Sequence, residues 1–320
     1  MPIVTLSPSA VSLAYTDTGV PSPSRGDYDT LILVHGLGFN KEIFSPLYAC
    51  ASQHNARLIA YNQRGYRDSE PHDGSLGHEQ TAATLVQDLV ELIHYVTATM
   101  NVPRKPIVLG WSKGTLLLIG IATDGYLPAV VRAEVLSEIR GMILYEPPGS
   151  AFGMPLTGAA SVLAKPGTDA GQFANDFALW ISGFYEPGSE VAYKTSMETL
   201  PEKLIAVSSE PQMAMAALPW KLSVDKDRLR RLVIDAVRCE DAPVGVCWNG
   251  HTVKYIADAA QEAARVGGRV QRLDSHGNHF AFAHEPDAWL GAVLGFFAVL
   301  EQEQAQAGGG ERSQGSRAAI

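Results

Sequence analysis

The sequence of 320 residues has few cysteines, no cluster of positive charge and no long apolar run. Its three cysteines, Cys50, Cys239 and Cys247, lack the spacing of metal ligands or of a redox motif. So sparse and odd a count argues against a disulfide framework and predicts a reducing compartment. We expect no metal site and no cofactor.

The net charge of the chain is −9, because 34 Asp and Glu residues outnumber 25 Lys and Arg residues. The basic residues are scattered along the chain. A phosphate backbone or an anionic membrane surface attracts clustered positive charge instead. The charge pattern therefore argues against both nucleic acid and a membrane as partners.

The longest apolar stretches, 116–122 and 291–300, are far shorter than the roughly 20 residues that span a bilayer. Residues 1–5 lack the basic start and apolar core of a secretory signal. We therefore expect a cytoplasmic protein. The last segment, 305–320, consists mostly of small and polar residues and is predicted to be a disordered tail.

What the sequence does contain is 46% hydrophobic residues, arranged as short apolar runs that alternate with helical patterns. This alternation predicts an α/β fold, with a mostly parallel sheet and helices on both of its faces. A weaker alternation at 11–16 suggests an edge strand. The predicted strands are 30–34, 56–61, 106–109, 141–145, 243–248 and 269–273, of which the first two are expected to be buried. The predicted helices are 41–53, 77–100, 115–122, 253–266 and 286–302.

The regular alternation of predicted strands and helices ends after Pro148. Residues 149–241 carry aromatic and methionine residues broken by Pro and Gly, with no clear strand, and we interpret them as a helical insertion. The predicted division is therefore a core of 1–148 and 242–304 with an insertion of 149–241. The candidate helices of the insertion are 170–183, 189–200, 210–218 and 225–237.

The motif Gly110-Trp111-Ser112-Lys113-Gly114 lies between a predicted strand and a predicted helix. Small residues two before and two after the serine allow a tight reversal, which holds Ser112 on a strained turn at the carboxyl edge of a sheet. The competing interpretation is a turn bounded by glycine with an incidental serine. The strand–turn–helix context is the one in which this motif supplies a nucleophile.

Four features occur in an order that resembles the α/β-hydrolase superfamily, over about residues 10–302. They are His35-Gly36-Leu37-Gly38 after an early strand, Arg64-Gly65 with Ser69, the motif around Ser112, and Gly277-Asn278-His279-Phe280 before the last helix. The resemblance implies a capped serine hydrolase similar to esterases and lactonases. It also places the cap of such enzymes at 149–241, after the sixth strand.

A serine hydroxyl needs an adjacent base to become a nucleophile at neutral pH. The resemblance implies that His279 is this base, with His276 and His284 as nearby competitors. It also implies an oxyanion hole formed by the backbone N–H groups of Leu37 and Lys113. We expect His35 to hold its loop rather than to act in catalysis.

The third member of the catalytic triad is where the sequence departs from the family pattern. Most relatives carry an aspartate just past the strand that here ends at Trp248, but this chain has Asn249 there. Glu146 ends the preceding strand, from which some members supply the acid, and we assign it that role. Asp258 or a Ser–His dyad remain alternatives.

The predicted function is hydrolysis of an ester, lactone or thioester of a small apolar molecule, without a cofactor. Phe39 and Trp111 are candidates for the walls of the substrate pocket. A serine nucleophile disfavours epoxide-hydrolase and haloalkane-dehalogenase chemistry, which uses a carboxylate. Acyl transfer, carbon–carbon bond hydrolysis and a non-catalytic binding role remain alternatives. Arg64, Arg67, Asp68 and Ser69 are expected to be structural.

Overall fold

Eight strands form one sheet in the part of the chain that the structure, a computed structural model, describes. The described residues are 2–22, 26–73, 75–76, 78–123, 125–154, 170–186, 189–195, 198–210, 226–239, 241–249, 254–273 and 278–314. The strands of this sheet, in chain order, are β1 (Ile3–Thr5), β2 (Ser12–Asp17), β3 (Asp29–Val34), β4 (Ala56–Tyr61), β5 (Ile107–Trp111), β6 (Gly141–Tyr145), β9 (Val244–Asn249) and β10 (Arg269–Leu273). Two further strands, β7 (Gly183–Tyr185) and β8 (Ala192–Thr195), form a separate pair.

The order of strands across the large sheet is β1-β2-β4-β3-β5-β6-β9-β10. From β4 to β10 every neighbouring pair is parallel, whereas β1 and β2 join antiparallel. The register pairs Val34 with Gly110, and Trp111 with Tyr145. The carboxyl ends of β3, β5 and β6 therefore meet at one edge, as the prediction of a mostly parallel α/β sheet requires.

Helices cover both faces of the sheet. They are α1 (Ser45–Tyr48), α2 (His78–Thr99), α3 (Thr115–Ala122), α4 (Ala129–Glu138), α5 (Ala170–Ser182), α6 (Glu202–Ser208), α7 (Lys226–Val237), α8 (Lys254–Arg265), α9 (Ala281–His284) and α10 (Pro286–Gln314). Alternate residues of β5 point to opposite faces: Val108 joins the core cluster under α2 and α3, whereas Leu109 and Trp111 join the cluster under α1 and α10.

Two predicted elements near the amino terminus differ in the structure. The helix expected at 41–53 is divided into a 3₁₀ turn (Lys41–Phe44), α1 and a second 3₁₀ turn (Ala51–His54). Pro46 lies in the first turn of α1, and its missing N–H prevents the preceding turn from continuing as one helix. The strand expected at the sheet edge is β2, which is internal because the unpredicted β1 pairs with it.

Within the predicted insertion, helices α5 and α7 confirm two of the expected helices. The helix expected at 189–200 was wrong: β8 lies there and pairs antiparallel with β7. Tyr193 and Thr195 are of the aromatic and β-branched types that favour a strand. The candidate helix at 210–218 lies almost wholly outside the described residues.

Helix α7 packs against α3 and the short turn Gly149–Phe152, and its residues Leu232, Ala236 and Val237 join the core of the large sheet. In contrast, Phe177 and Trp180 of α5 and Leu204 of α6 join the cluster that contains Trp111. The helices of the insertion therefore pack on opposite faces of the sheet. Its division from the core at 149 and 241 stays a prediction.

The last helix, α10, is longer than the helix expected at 286–302, and it reaches into the segment expected to be disordered. Glu, Gln and Ala alternate over 301–307, and these residue types favour helix. Residues 305–314 are therefore helical, and 315–320 lie outside the described residues. Among the helices of the described chain, none is long and apolar enough to cross a membrane.

Candidate active site

Ser112 lies at the point where β5 turns into α3. Its φ angle is +53°, in the left-handed region that side chains other than glycine rarely adopt. Such a conformation costs on the order of 1–3 kcal/mol and persists only where the surrounding structure imposes it. Ser112 opens a single 3₁₀ turn (Ser112–Gly114) and is partly exposed, whereas Lys113 and Gly114 are buried. The chain thus presents the hydroxyl-bearing residue at the carboxyl edge of the sheet.

The glycines of the motif are required by close packing of backbone on backbone. A methyl group on Gly114 would lie 2.5 Å from the carbonyl oxygen of Val34, at the end of β3. A methyl group on Gly110 would lie 2.8 Å from the carbonyl group of Gly114 itself. Both distances are shorter than van der Waals contact, so only glycine lets the turn close against the neighbouring strand.

Glu146 and His279 form a buried pair beside this turn. Glu146 follows β6 directly with a φ angle of +49°, and its side chain is fully buried. The Nδ1 atom of His279 forms a hydrogen bond with Glu146 Oε2. The backbone N–H of Asn249, the last residue of β9, donates to the other carboxylate oxygen over 2.8 Å. The carboxylate is therefore held from two sides.

The other ring nitrogen of His279, Nε2, is buried and has no hydrogen-bond partner among the described residues. Ser112 therefore does not bind to it in this structure, and catalytic hydrogen bonds often tighten only when substrate is present. Trp111 links Ser112 to His279: it precedes Ser112 in the chain, and its indole N–H donates to the carbonyl oxygen of His279 over 3.0 Å. The rings of Trp111 and His279 lie 5.0 Å apart.

The loop after β3 borders Ser112. A methyl group on Gly36 would lie 3.0 Å from the Cβ atom of Ser112, so the backbone of this loop runs directly beside the serine. Leu37 follows, and no described residue accepts a hydrogen bond from its N–H group. Lys113 directly follows Ser112, in the turn that leads into α3. Both predicted oxyanion donors therefore adjoin the serine.

His35 holds this loop in place. Its Nδ1 atom lies 3.0 Å from the carbonyl oxygen of Gly36, and its Nε2 atom accepts the backbone N–H of Gln63 over 3.0 Å. This pattern requires a neutral ring with the proton on Nδ1. Burial, together with the nearby positive charge of Lys113, lowers the pKa of His35 to about 3. A neutral, fully bonded ring matches the loop-holding role expected from the sequence.

The alternative site residues lie in different surroundings. Asp258 is partly buried on α8, and His284 ends α9, where its ring packs 5.5 Å from that of Phe184. Burial lowers the pKa of His284. His276 lies outside the described residues. Of the candidate histidines and acids that are described, the structure brings together His279 and Glu146.

The polar residues after β4 stabilise a turn, in agreement with the sequence-based expectation for Arg64 and Ser69. Arg64 forms two hydrogen bonds with Asp88 of α2, at 3.0 and 2.7 Å. The hydroxyl of Ser69 donates to the carbonyl oxygen of Asn62 and accepts the backbone N–H of Ala14. These bonds join β2, β4 and α2.

The two candidates for pocket walls, Phe39 and Trp111, are 3% and 1% exposed. Their rings lie 5.5 Å apart, and both contact Phe280. They therefore form one aromatic cluster beneath the site. Whether the cluster contacts substrate stays a prediction.

The sequence analysis gave no role to two residues that connect the loops near Ser112 and His279 to the insertion. The side-chain amide of Asn278 donates to the carbonyl oxygens of Ser182 and Gly183 in the insertion. Glu210, also in the insertion, accepts a hydrogen bond from Asn40, 170 residues away in the chain. A clue to Asn278 was its place beside His279, but no local pattern marks Glu210.

No group of three or more His, Cys, Asp or Glu side chains is arranged to hold a metal ion in the described chain.

Comparisons with known proteins place the chain among related folds. A model described as the alpha/beta hydrolase family matches residues 31–292. No curated protein matches the sequence. Of the solved structures, the enol-lactonase from Burkholderia xenovorans LB400 is 20% identical, with a TM-score of 0.58 over 93% of this chain and 100% of that one.

Two further solved structures show the same likeness. An esterase from Exiguobacterium antarcticum is 14% identical, with a TM-score of 0.60 over 92% of this chain and 98% of its own. A bromoperoxidase from Bacillus anthracis is also 14% identical, with a TM-score of 0.61 over 93% and 99%. At these identities the likeness shows a common fold, which hosts several reactions.

Proposed function

Because the chain belongs to the alpha/beta hydrolase family, we propose that it is a serine hydrolase that cleaves an ester, lactone or thioester of a small apolar molecule. The observation that carries this proposal is the buried pair of Glu146 and His279, whose Nε2 atom has no hydrogen-bond partner among the described residues. Trp111, which precedes Ser112, binds the backbone of the same histidine. A serine, a base within reach and a group that orients the base are the requirements of nucleophilic catalysis.

In the first half of the proposed reaction, Nε2 of His279 takes the proton of the Ser112 hydroxyl. The serine oxygen attacks the carbonyl carbon of the substrate, and the electron pair of the C=O bond moves to its oxygen. The N–H groups of Leu37 and Lys113 bind this oxyanion. When the C=O bond re-forms, the bond to the alcohol or thiol breaks. His279 returns the proton to this leaving group, and an acyl group remains on Ser112.

In the second half, Nε2 of His279 takes a proton from a water molecule. The water oxygen attacks the acyl carbon, and the same two N–H groups bind the oxyanion. The bond to Ser112 then breaks, and the serine oxygen recovers its proton from His279. The net reaction consumes one water and releases a carboxylic acid.

The proposed role of Glu146 is to orient His279 and to stabilise its positive charge. An acceptor at Nδ1 keeps the proton on that nitrogen, which leaves Nε2 free to act as the base. When Nε2 takes the serine proton, the ring becomes a cation next to the carboxylate. The N–H of Asn249 holds the second carboxylate oxygen, so the carboxylate is oriented before the reaction begins.

The proposed substrate class follows from the surroundings of the site. Phe39, Trp111 and Phe280 form a buried aromatic cluster next to Ser112 and His279, which favours an apolar acyl or aryl group. An enol-lactonase and an esterase are among the proteins that share the fold, in keeping with ester or lactone chemistry. A serine at the nucleophile position does not form the alkyl ester of a dehalogenase reaction.

The proposal is tested with a fluorophosphonate probe, which phosphonylates an activated serine. We expect native protein to be labelled at Ser112, and the Ser112→Ala variant to stay unlabelled. A panel of p-nitrophenyl esters of increasing chain length, with lactones of different ring size, then defines the substrate. Absence of labelling in native, folded protein would exclude the proposed mechanism.

A further inference from the structure

A segment of the insertion pairs with the loop that borders Ser112. The backbone N–H of Asn40 donates to the carbonyl oxygen of Ser208 over 2.9 Å, and the N–H of Glu210 donates to the carbonyl oxygen of Gly38 over 2.7 Å. These two bonds flank Phe39, which forms an antiparallel bridge with Ser209. The end of α6 therefore continues as a short strand against loop 38–40.

Three polar side chains reinforce this pairing. The side-chain amide of Asn40 donates to Glu210 Oε1 over 2.6 Å and to the carbonyl oxygen of Val207 over 2.9 Å. Arg67 Nε donates to the same Glu210 oxygen over 3.1 Å. Asn40 is fully buried and Glu210 is 6% exposed. We name Asn40, Arg67 and Glu210 the loop clamp.

The burial of Asn40 and Glu210, two members of the clamp, indicates a rigid attachment. A carboxylate out of water is stable only when it is paired and hydrogen-bonded, and Glu210 meets both conditions through Arg67 and Asn40. Moving the loop away from segment 206–210 would leave this carboxylate without its amide donor. It would also break the two backbone bonds at Gly38 and Asn40.

The clamp holds the distal end of the loop that carries Leu37. The proximal end is held at His35, whose ring and carbonyl group bind Gln63 in the core. Leu37 lies between these two attachments, beside the Gly36 backbone that contacts Ser112. One attachment is thus part of the core, and the other depends on the insertion.

We propose that the loop clamp positions the backbone N–H of Leu37 in the oxyanion hole, so that segment 206–210 acts on catalysis through the loop. The inference rests on the proposed function, because it assumes that Leu37 binds the oxyanion. Asn40, Arg67 and Glu210 are positioning residues: they act through loop 38–40.

The test compares wild type with four variants. Glu210→Ala removes the acceptor for Asn40 and Arg67. Asn40→Asp keeps the shape of the side chain and the acceptor for the Glu42 N–H, but replaces the amide donor facing Glu210 with an oxygen. Glu210→Gln keeps a carbonyl oxygen for Asn40 and is the conservative rescue. Glu202→Ala, at an exposed position of α6, the helix that precedes Glu210, is the matched control.

The first measurements are kcat and KM for p-nitrophenyl butyrate, where kcat is calculated per active site and the sites are counted by complete titration with the fluorophosphonate. The second measurement is the Ki of a trifluoromethyl ketone inhibitor. For Glu210→Ala and Asn40→Asp we expect kcat to fall roughly 10- to 100-fold with KM within about twofold, because an oxyanion donor acts in the transition state. The Ki of the ketone, whose adduct is an oxyanion, should rise by a similar factor. Glu210→Gln should lose less than about threefold, and Glu202→Ala should match wild type.

A merely structural clamp would give a different result. The variants would then show fewer titratable sites, but each site would keep the kcat and Ki of wild type, and that outcome overturns the inference. Two substitutions of different chemistry keep the test decisive if one variant fails to fold.

Hydrogen exchange separates this inference from the proposed function, because it needs no activity. We expect faster exchange of the amides of residues 37–40 in Glu210→Ala and Asn40→Asp than in wild type or Glu202→Ala. Unchanged exchange would overturn the clamp even in an active enzyme. Faster exchange in a protein that neither labels nor turns over would refute the proposed function while leaving the loop attachment in place.

Discussion

The backbone N–H of Asn249 donates a hydrogen bond of 2.8 Å to Oε1 of Glu146. Asn249 ends β9 and stands where the family resemblance leads one to expect an aspartate. Glu146 ends the adjacent strand β6, and its other oxygen binds His279. Strand β9, where the family pattern has the acid, therefore provides a backbone N–H donor instead. This donor orients the carboxylate of Glu146, which follows the neighbouring strand β6.

The first prediction concerns Glu146. Glu146→Gln keeps the shape of the side chain but removes the charge that stabilises a protonated His279, so we expect kcat to fall by roughly 10²- to 10⁴-fold. Asp258→Asn, on α8, is the control and should stay within about twofold of wild type. Steady-state kinetics on a p-nitrophenyl ester, with activity per titrated site, checks both. A larger loss in Asp258→Asn than in Glu146→Gln would assign the acid to α8.

The second prediction concerns the turn at Ser112. Gly114→Ala places a methyl group 2.5 Å from the carbonyl oxygen of Val34, so the turn must shift away from β3. We expect a loss of about 1–3 kcal/mol in the free energy of unfolding and a fall in kcat of about 100-fold. Thermal or chemical denaturation and ester hydrolysis measure the two effects.

Gly295→Ala is the matched control for this substitution. Gly295 lies exposed on α10, and a methyl group there has no atom within 4 Å. The change should stabilise the protein by up to about 1 kcal/mol, because alanine favours helix over glycine. If Gly114→Ala behaved like Gly295→Ala, close packing would not be the reason for the glycine at position 114.

The third prediction concerns Trp111, whose indole N–H binds the carbonyl oxygen of His279. Trp111→Phe removes this donor and leaves a buried carbonyl group unpaired. We expect the protein to lose about 2–4 kcal/mol of stability and kcat per titrated site to fall about tenfold. Trp289→Phe provides the comparison, since Trp289 is equally buried but packs on Tyr145 and Phe282. It should lose stability while keeping kcat within about twofold.

The fourth prediction concerns the pH dependence of stability. The pKa of His35 is about 3 in the folded protein, whereas an exposed histidine titrates near 6.5. Between these values the unfolded chain binds a proton that the folded chain does not. His35 therefore lowers the free energy of unfolding as pH falls, by about 1.4 kcal/mol per pH unit at most.

His35→Asn removes this titration. We expect the free energy of unfolding of the variant to change less steeply than that of wild type between about pH 6 and pH 3.5. Urea denaturation at several pH values measures the slopes. Parallel slopes for the two proteins would show that His35 takes up a proton in the folded state as readily as in the unfolded chain.

Much of the sheet follows from local sequence. Near-continuous apolar runs placed β3, β4 and β6 within a residue of their observed bounds, because a strand covered on both faces is apolar almost throughout. The turn at Ser112 could also be predicted from the sequence, since its glycines and the strand and helix that flank it are adjacent in the chain. The local pattern wrongly predicted a helix at 189–200, where pairing with β7 stabilises the strand β8.

The contacts that define the candidate site are not local. Glu146 and His279 are 133 residues apart, and Asn40 and Glu210 are 170 apart. The sequence-based prediction assigned the role of the acid to Glu146, with Asp258 as the alternative carboxylate. In the structure, β6 lies beside β9, and the carboxylate of Glu146 meets His279 and the Asn249 N–H. Sequence thus determined most strands of the large sheet and the position of Ser112 on its turn, since both depend on neighbouring residues. Tertiary structure decided which carboxylate meets the histidine and which segment holds the loop at Leu37, because only the packed sheet joins residues so distant in the chain.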